Sequence, residues 1–90
     1  MAYSNISVGT TATLIVTANS KRQSLIIENN GTATLYVGPD SSVTINNGIQ
    51  IEEDGNFTED SGGSRVYQGD WYGITSAGTA DTRYWERTGQ

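Results

Sequence analysis

The stretch SLIIENNGTATLYVG, residues 24 to 38, sets two short apolar runs on either side of Asn29-Asn30-Gly31-Thr32. Asn-Gly between alternating apolar runs reads as one β-hairpin, because these two residues accept the positive φ angles of a tight turn. Side chains along a strand alternate between its faces. Leu25 and Ile27 then point one way, and Ile26 and Glu28 the other; Leu35 and Val37 point one way, and Tyr36 the other. The second face of a small hairpin should meet water, yet it carries Ile26 and Tyr36. The expectation is that another chain covers them.

Composition points the same way. The 90 residues make a single domain, 1–90, that is 34% hydrophobic and 17% charged. A domain of this size buries only ~60–65% of its unfolded surface, so its margin of stability is thin. Small domains gain stability from disulfides, a metal or partner subunits. The chain has no cysteine, hence no disulfide and no thiolate metal site, and no histidine, the commonest metal ligand and general base. Another protein chain is left as the expected staple. The net charge of −5 argues against nucleic acid and against anionic membranes, both of which call for a basic surface. The start MAYSNISVGTT has neither a basic nor an apolar leader region, so synthesis in a cytoplasm is expected. No apolar run approaches the ~18 residues of a membrane span.

Short β-branched and aromatic runs alternate with Gly, Asn, Asp and Ser clusters, and no helical period is sustained. This predicts an all-β fold: a small antiparallel β-sandwich, jelly-roll-like, of about eight to ten short strands. The expected strands are 4–8, 11–17, 23–29, 33–38, 42–45, 49–52, 55–59, 64–68, 71–75 and 80–87. Asn47-Gly48 and Asp54-Gly55 read as further hairpin turns, Gly38-Pro39-Asp40-Ser41 as a turn, Gly62-Gly63 as a flexible loop, and Ser76 to Thr79 as the join between the last two strands. The expected inward set is Leu14, Val16, Leu25, Ile27, Leu35, Val37, Val43, Ile49, Ile51, Phe57, Val66, Tyr72, Ile74 and Tyr84. That leaves Ile26, Tyr36, Trp71 and Trp85 outside. Trp85 is the clearest case, because its same-face neighbours in a strand are Asp81, Arg83 and Arg87. Trp and Arg together are the residues most enriched at interface hot spots.

Other constellations are weaker. The acidic stretch IEEDGNFTED, residues 51–60, could hold a divalent cation, but it departs from the EF-hand spacing; a solvated acidic rim or a docking patch for a basic partner explains it as well. Paired carboxylates for glycoside hydrolysis would need a cleft that thin strands leave little room for. There is no Gly-x-Ser-x-Gly motif and no nucleophile–base pair, and Ser61-Gly62-Gly63-Ser64 lacks the Lys-Ser/Thr ending of a phosphate loop. No enzyme, cofactor or metal is expected. The aromatic group Tyr67, Trp71, Tyr72, Tyr84 and Trp85 could stack on sugar rings, contact protein, or pack the sandwich. Three Asn-x-Ser/Thr triplets read as accidents of an Asn- and Thr-rich chain.

The segments KRQSLIIENNGTATLYVGPDSSVTINNGIQI (21–51), GNFTED (55–60) and RVYQGDWYGITSAGTADTRYWE (65–86) resemble small β-sandwich virion proteins of tailed bacteriophages. The shared elements are a strand ending in Asn-Asn-Gly-Thr, a strand ending in Tyr-Val-Gly, an Asn-Gly turn, a Gly-aromatic-Thr strand start and a closing Ser-Ala-Gly-Thr-Ala-Asp-x-Arg strand. Such modules occur as capsid decoration (cement) proteins and within tails and fibres. The resemblance implies a decoration protein on the outer capsid surface of the virion, self-associating as a homotrimer and clamping major capsid protein subunits. On that reading Ile26, Tyr36, Trp71 and Trp85 are apolar anchors, and Arg83 and Arg87 pair across subunits. Residues 1–10, around Tyr3, form a contact arm. The alternative is a tail or fibre module that binds host glycan through the Trp71 and Trp85 region.

Overall fold

The computed structural model describes residues 2–60 and 66–88. Its eight strands are β1 (Ala2–Val8), β2 (Thr13–Val16), β3 (Arg22–Asn29), β4 (Leu35–Gly38), β5 (Ile49–Ile51), β6 (Asn56–Asp60), β7 (Trp71–Thr75) and β8 (Ala80–Thr88). They form two four-stranded antiparallel sheets, a first with the order β1-β8-β3-β6 and a second with the order β2-β7-β4-β5. The pairing is nested: β4 with β5, β3 with β6, β2 with β7, β1 with β8. One long two-stranded ribbon is thus rolled up so that successive segments fall alternately into the two sheets, which is the jelly-roll arrangement. The all-β sandwich expected from the sequence is the observed fold.

The opening stretch is not a hairpin. β3 lies in the first sheet and β4 in the second, so Asn30 to Thr34 carries the chain across the sandwich. Asn29 explains why. It is fully buried; its amide donates to Ala33 O and Ile51 O and its side-chain oxygen accepts from Gly31 N–H. Its backbone exchanges hydrogen bonds with Asp54 and Gly55. Gly31 fits because a Cβ there would meet Ala80 Cα and Asp81 N at 2.7 Å. Asp54-Gly55 is likewise a crossing, with Asp54 at φ 63°, and not a hairpin turn. The connection that does return within one sheet is β4 to β5, through the long loop that replaces the expected strand 42–45. Of the expected strand 64–68, residues 64 and 65 lie outside the described residues, as does the Gly62-Gly63 loop, and 66–68 are irregular.

The core joins Val8, Ile15, Val16, Leu25, Ile27, Leu35, Val37, Ile51, Trp71 and Ala80, with Ile6, Phe57 and Tyr84 packed against it. Val43 and Val66 are also buried. The sequence expectation is corrected in the second sheet. Trp71 is an inward residue, 5% exposed, with its ring against Phe57 and edge-on to Tyr67. Tyr72 and Ile74 are half-buried, on the opposite side of β7 from the core residue Trp71. A bulge between Leu14 and Val16 turns Ile15 and Val16 both inward and leaves Leu14 exposed. Ile49, on the edge strand β5, is exposed as well.

One end of the sandwich is closed around Arg22, which is 1% exposed. Its Nε donates to Glu86 Oε2 at 2.7 Å, Nη1 to Tyr67 O and Gly69 O, and Nη2 to Thr17 O. A buried guanidinium is tolerated when its donors are all engaged. This one ties the β2–β3 connection, the segment before β7, and β8 together.

Candidate functional site

Strand alternation and register build the site on the outer face of the first sheet. Trp85 on β8 stands opposite Tyr3 on β1 and opposite Ile26 on β3, and Ile26 stands opposite Thr58 on β6. The result is a row, Tyr3–Trp85–Ile26–Thr58, running across all four strands. The three apolar members are 68%, 54% and 41% exposed, in that order. The Tyr3 and Trp85 rings lie 5.7 Å apart, tilted by 38°. Cross-strand aromatic pairs of this kind hold each other in place on a sheet surface. Burying such a row on a partner would be favourable at about 25 cal/mol per Å² of apolar area.

Polar residues flank the row. The next row along the strands is Asn5–Arg83–Glu28–Asn56. Arg83 is exposed and its Nη2 donates to Asp81 Oδ2 at 3.2 Å. The Asn30 amide, turned with its oxygen toward the guanidinium, accepts from Arg83 Nε at 2.9 Å and Nη1 at 3.2 Å. On the other side of Trp85 along β8 lies Arg87, also exposed. A concavity of 520 Å³ opens beside Trp85, lined by Tyr3, Ser4, Asn5, Glu28, Arg83 and Tyr84 as well as Trp85 itself. A second of 210 Å³ lies toward Ile26 and shares Glu28, Arg83, Tyr84 and Trp85.

The structure therefore brings together Tyr3, Ile26, Arg83, Trp85 and Arg87. It separates Tyr36, which is half-buried on β4 in the second sheet, and it removes Trp71 to the core. Ile26 and Tyr36 do not share a face, since the turn once read between them is a crossing between sheets. Within the chain, Arg83 is paired with Asp81. The segment expected as an arm contributes β1, which pairs with β8 from Ala2 to Val8. Sequence reasoning put Glu28 on the face of Ile26 without assigning it to the site, and it missed Asn5, which sits two residues from Tyr3 and which the same alternation could have found.

The acidic stretch does not converge. Among the described residues no three carboxylates gather closely enough to hold a metal ion. Hydrogen bonds from the Ser42 hydroxyl and backbone N–H hold the Asp40 carboxyl below the usual carboxylate range. That group lies on the β4–β5 loop, in the other sheet from the aromatic row. Among the described residues, no helix is long and apolar enough to cross a membrane. Comparison of the chain with protein families, curated proteins and solved structures finds no match.

Proposed function

We propose that this protein is a capsid decoration protein of a tailed bacteriophage, a structural and non-enzymatic part that docks on the outer surface of the shell and ties major capsid protein subunits together. The observation that carries the reading is the exposed Tyr3–Trp85–Ile26 row across the outer sheet face, flanked by Arg83 and Arg87. A sheet face that meets water alternates apolar-in and polar-out. This one places its largest aromatic residue at the centre of the outer face, where a Trp beside Arg residues has the composition of an interface hot spot. The resemblance to small virion sandwiches supplies the shell as the partner.

The test is co-sedimentation with capsids of the encoding phage assembled without this protein, together with the capsid melting temperature. The wild type should bind and raise the melting temperature, whereas Trp85→Ala should do neither while keeping its fold. Unaltered capsid stability with the wild type would refute the reading.

The 520 Å³ concavity favours a second reading, a glycan-binding module of a tail or fibre. Tyr3 and Trp85 offer aromatic faces for a pyranose ring, and Asn5, Glu28 and Arg83 offer hydrogen bonds. Ile26 separates the two. It belongs to the row but does not line that concavity. Ile26→Ser should weaken shell docking and leave glycan capture on an array intact.

A further inference from the structure

A four-plus-four sandwich has four edge strands: β1 and β6 in the first sheet, β2 and β5 in the second. An edge presents alternate unpaired N–H and C=O groups, and proteins blunt it with short strands, charges, bulges or covering segments. Three of these edges are blunted. β5 has three residues. β2 has four and is interrupted by the bulge at Leu14/Val16. β6 contains Glu59 and Asp60 and follows the acidic turn Glu52-Glu53-Asp54.

β1 is blunted by none of these. It has seven residues, AYSNISV, with no charge, proline or glycine, and it keeps an unbroken register with β8. Among the described residues, its ladder with β8 accounts for every backbone–backbone hydrogen bond that it makes.

We infer that β1 is an assembly edge that pairs antiparallel with β1 of a second copy about a two-fold axis at Asn5. Two observations select a copy of the same chain. In a protein of net charge −5, β1 is the edge that joins seven unbroken residues to the absence of any carboxylate, so two copies can approach along its whole length without like charges meeting. The strand also suits itself: the two-fold at Asn5 sets Tyr3 opposite Ser7 and Ser4 opposite Ile6, and all seven residues find partners. Opposed residues of an antiparallel pair share a face. The outer faces of the two copies therefore continue into each other, and two four-stranded sheets become one of eight strands. A two-fold contact closes at two copies, so this edge does not build the trimer that the resemblance implies. The inference is independent of what the outer face docks on.

The absence of native cysteine makes the test clean. Asn5→Cys places two thiols on the axis, where the Cα separation of about 4.5–5.5 Å in an antiparallel pair falls within disulfide reach. The wild type at micromolar concentration should show twice the chain mass of 9.7 kDa by light scattering. Oxidised Asn5→Cys should run as a linked pair, and Thr44→Cys, exposed on the β4–β5 loop, should not. Asn5→Lys, at an exposed position, should keep its circular dichroism and weaken self-association by about tenfold or more, since like charges then meet at the axis. A wild type of single-chain mass, a larger assembly indifferent to Asn5→Lys, or equal linking of the two cysteine variants would overturn the inference.

Discussion

The two faces of β8 invert the usual distribution of side chains. Its inner face runs Ala80, Thr82, Tyr84, Glu86 and Thr88 and includes a charge that is 5% exposed; its outer face runs Asp81, Arg83, Trp85, Arg87 and carries a tryptophan that is 54% exposed. Glu86 can be buried because Arg22 and Asn19 reach it from the β2–β3 side. Trp85 makes a single aromatic contact, to Tyr3 on an edge strand. The difference teaches where each face finds its partner. The buried charge is answered within the chain, and the exposed aromatic is left to be answered from outside. Position along a strand thus says which way a side chain points, and the neighbouring strands say whether it is already satisfied.

Removing the inner partner should have the largest effect. Arg22→Ala removes the cationic partner of Glu86 and the donor to three backbone carbonyls, and should cost about 3–5 kcal/mol in denaturant unfolding, a large part of the roughly 5–15 kcal/mol that holds a small domain folded. Trp71→Ala, which empties core space beside Phe57, should cost a similar ~3–5 kcal/mol. Asn29→Ala, which leaves the carbonyls of Ala33 and Ile51 unanswered at the crossing, should cost about 1–3 kcal/mol and should lower the denaturation midpoint without altering the far-ultraviolet spectrum.

On the outer face the sign of the comparison reverses. Trp85→Ala should change folding stability by no more than about 0.5 kcal/mol yet abolish partner binding. A loss of stability as large as that of Trp71→Ala would mean that Trp85 is a core residue, and the contrast between the faces would fail. The smallest effect concerns Asp40. Its folded-state titration lies below the unfolded value of 3.8, so its stabilising contribution is present above that value and is lost as the pH falls from there through the folded one. The thermal midpoint of the wild type should therefore drop slightly more below pH 3.8 than that of Asp40→Asn.

Strand alternation alone gives the facing of the side chains along β3 and β8 in the first sheet. Leu25 and Ile27 face in and Ile26 faces out, and Trp85 among Asp81, Arg83 and Arg87 is where the period of two puts it. The second sheet resisted the same reasoning for physical causes. In Trp71-Tyr72-Gly73-Ile74-Thr75 the apolar pattern favours Tyr72 and Ile74 as inward, but Gly73 faces the core because Ile15 and Leu35 need the space: a Cβ there would sit 2.8 Å from Ile15 Cδ1. Thr75 is buried at no penalty because its hydroxyl donates to Gly78 O. The bulge in β2 adds a residue that no period anticipates. Asn30-Gly31 carries the composition of a hairpin turn, and only the long-range bonds of Asn29 to residues 51, 54 and 55 make it a crossing. The Arg22–Glu86 pair, 64 positions apart, leaves no local trace.

The nested pairing also constrains how the molecule is born. β8 is synthesised after the other seven strands, yet it occupies an interior place between β1 and β3. A nascent chain on the ribosome can close β4 on β5 and β3 on β6 early, but β1 must wait for almost the whole polypeptide before its ladder can zip. Contacts so distant along the chain make folding slow and expose unpaired strands on the way. Every ribosome-bound copy thus passes through an interval in which β1 and one side of β3 are both vacant, and a polysome crowded with such copies is where mispairing should be sought first.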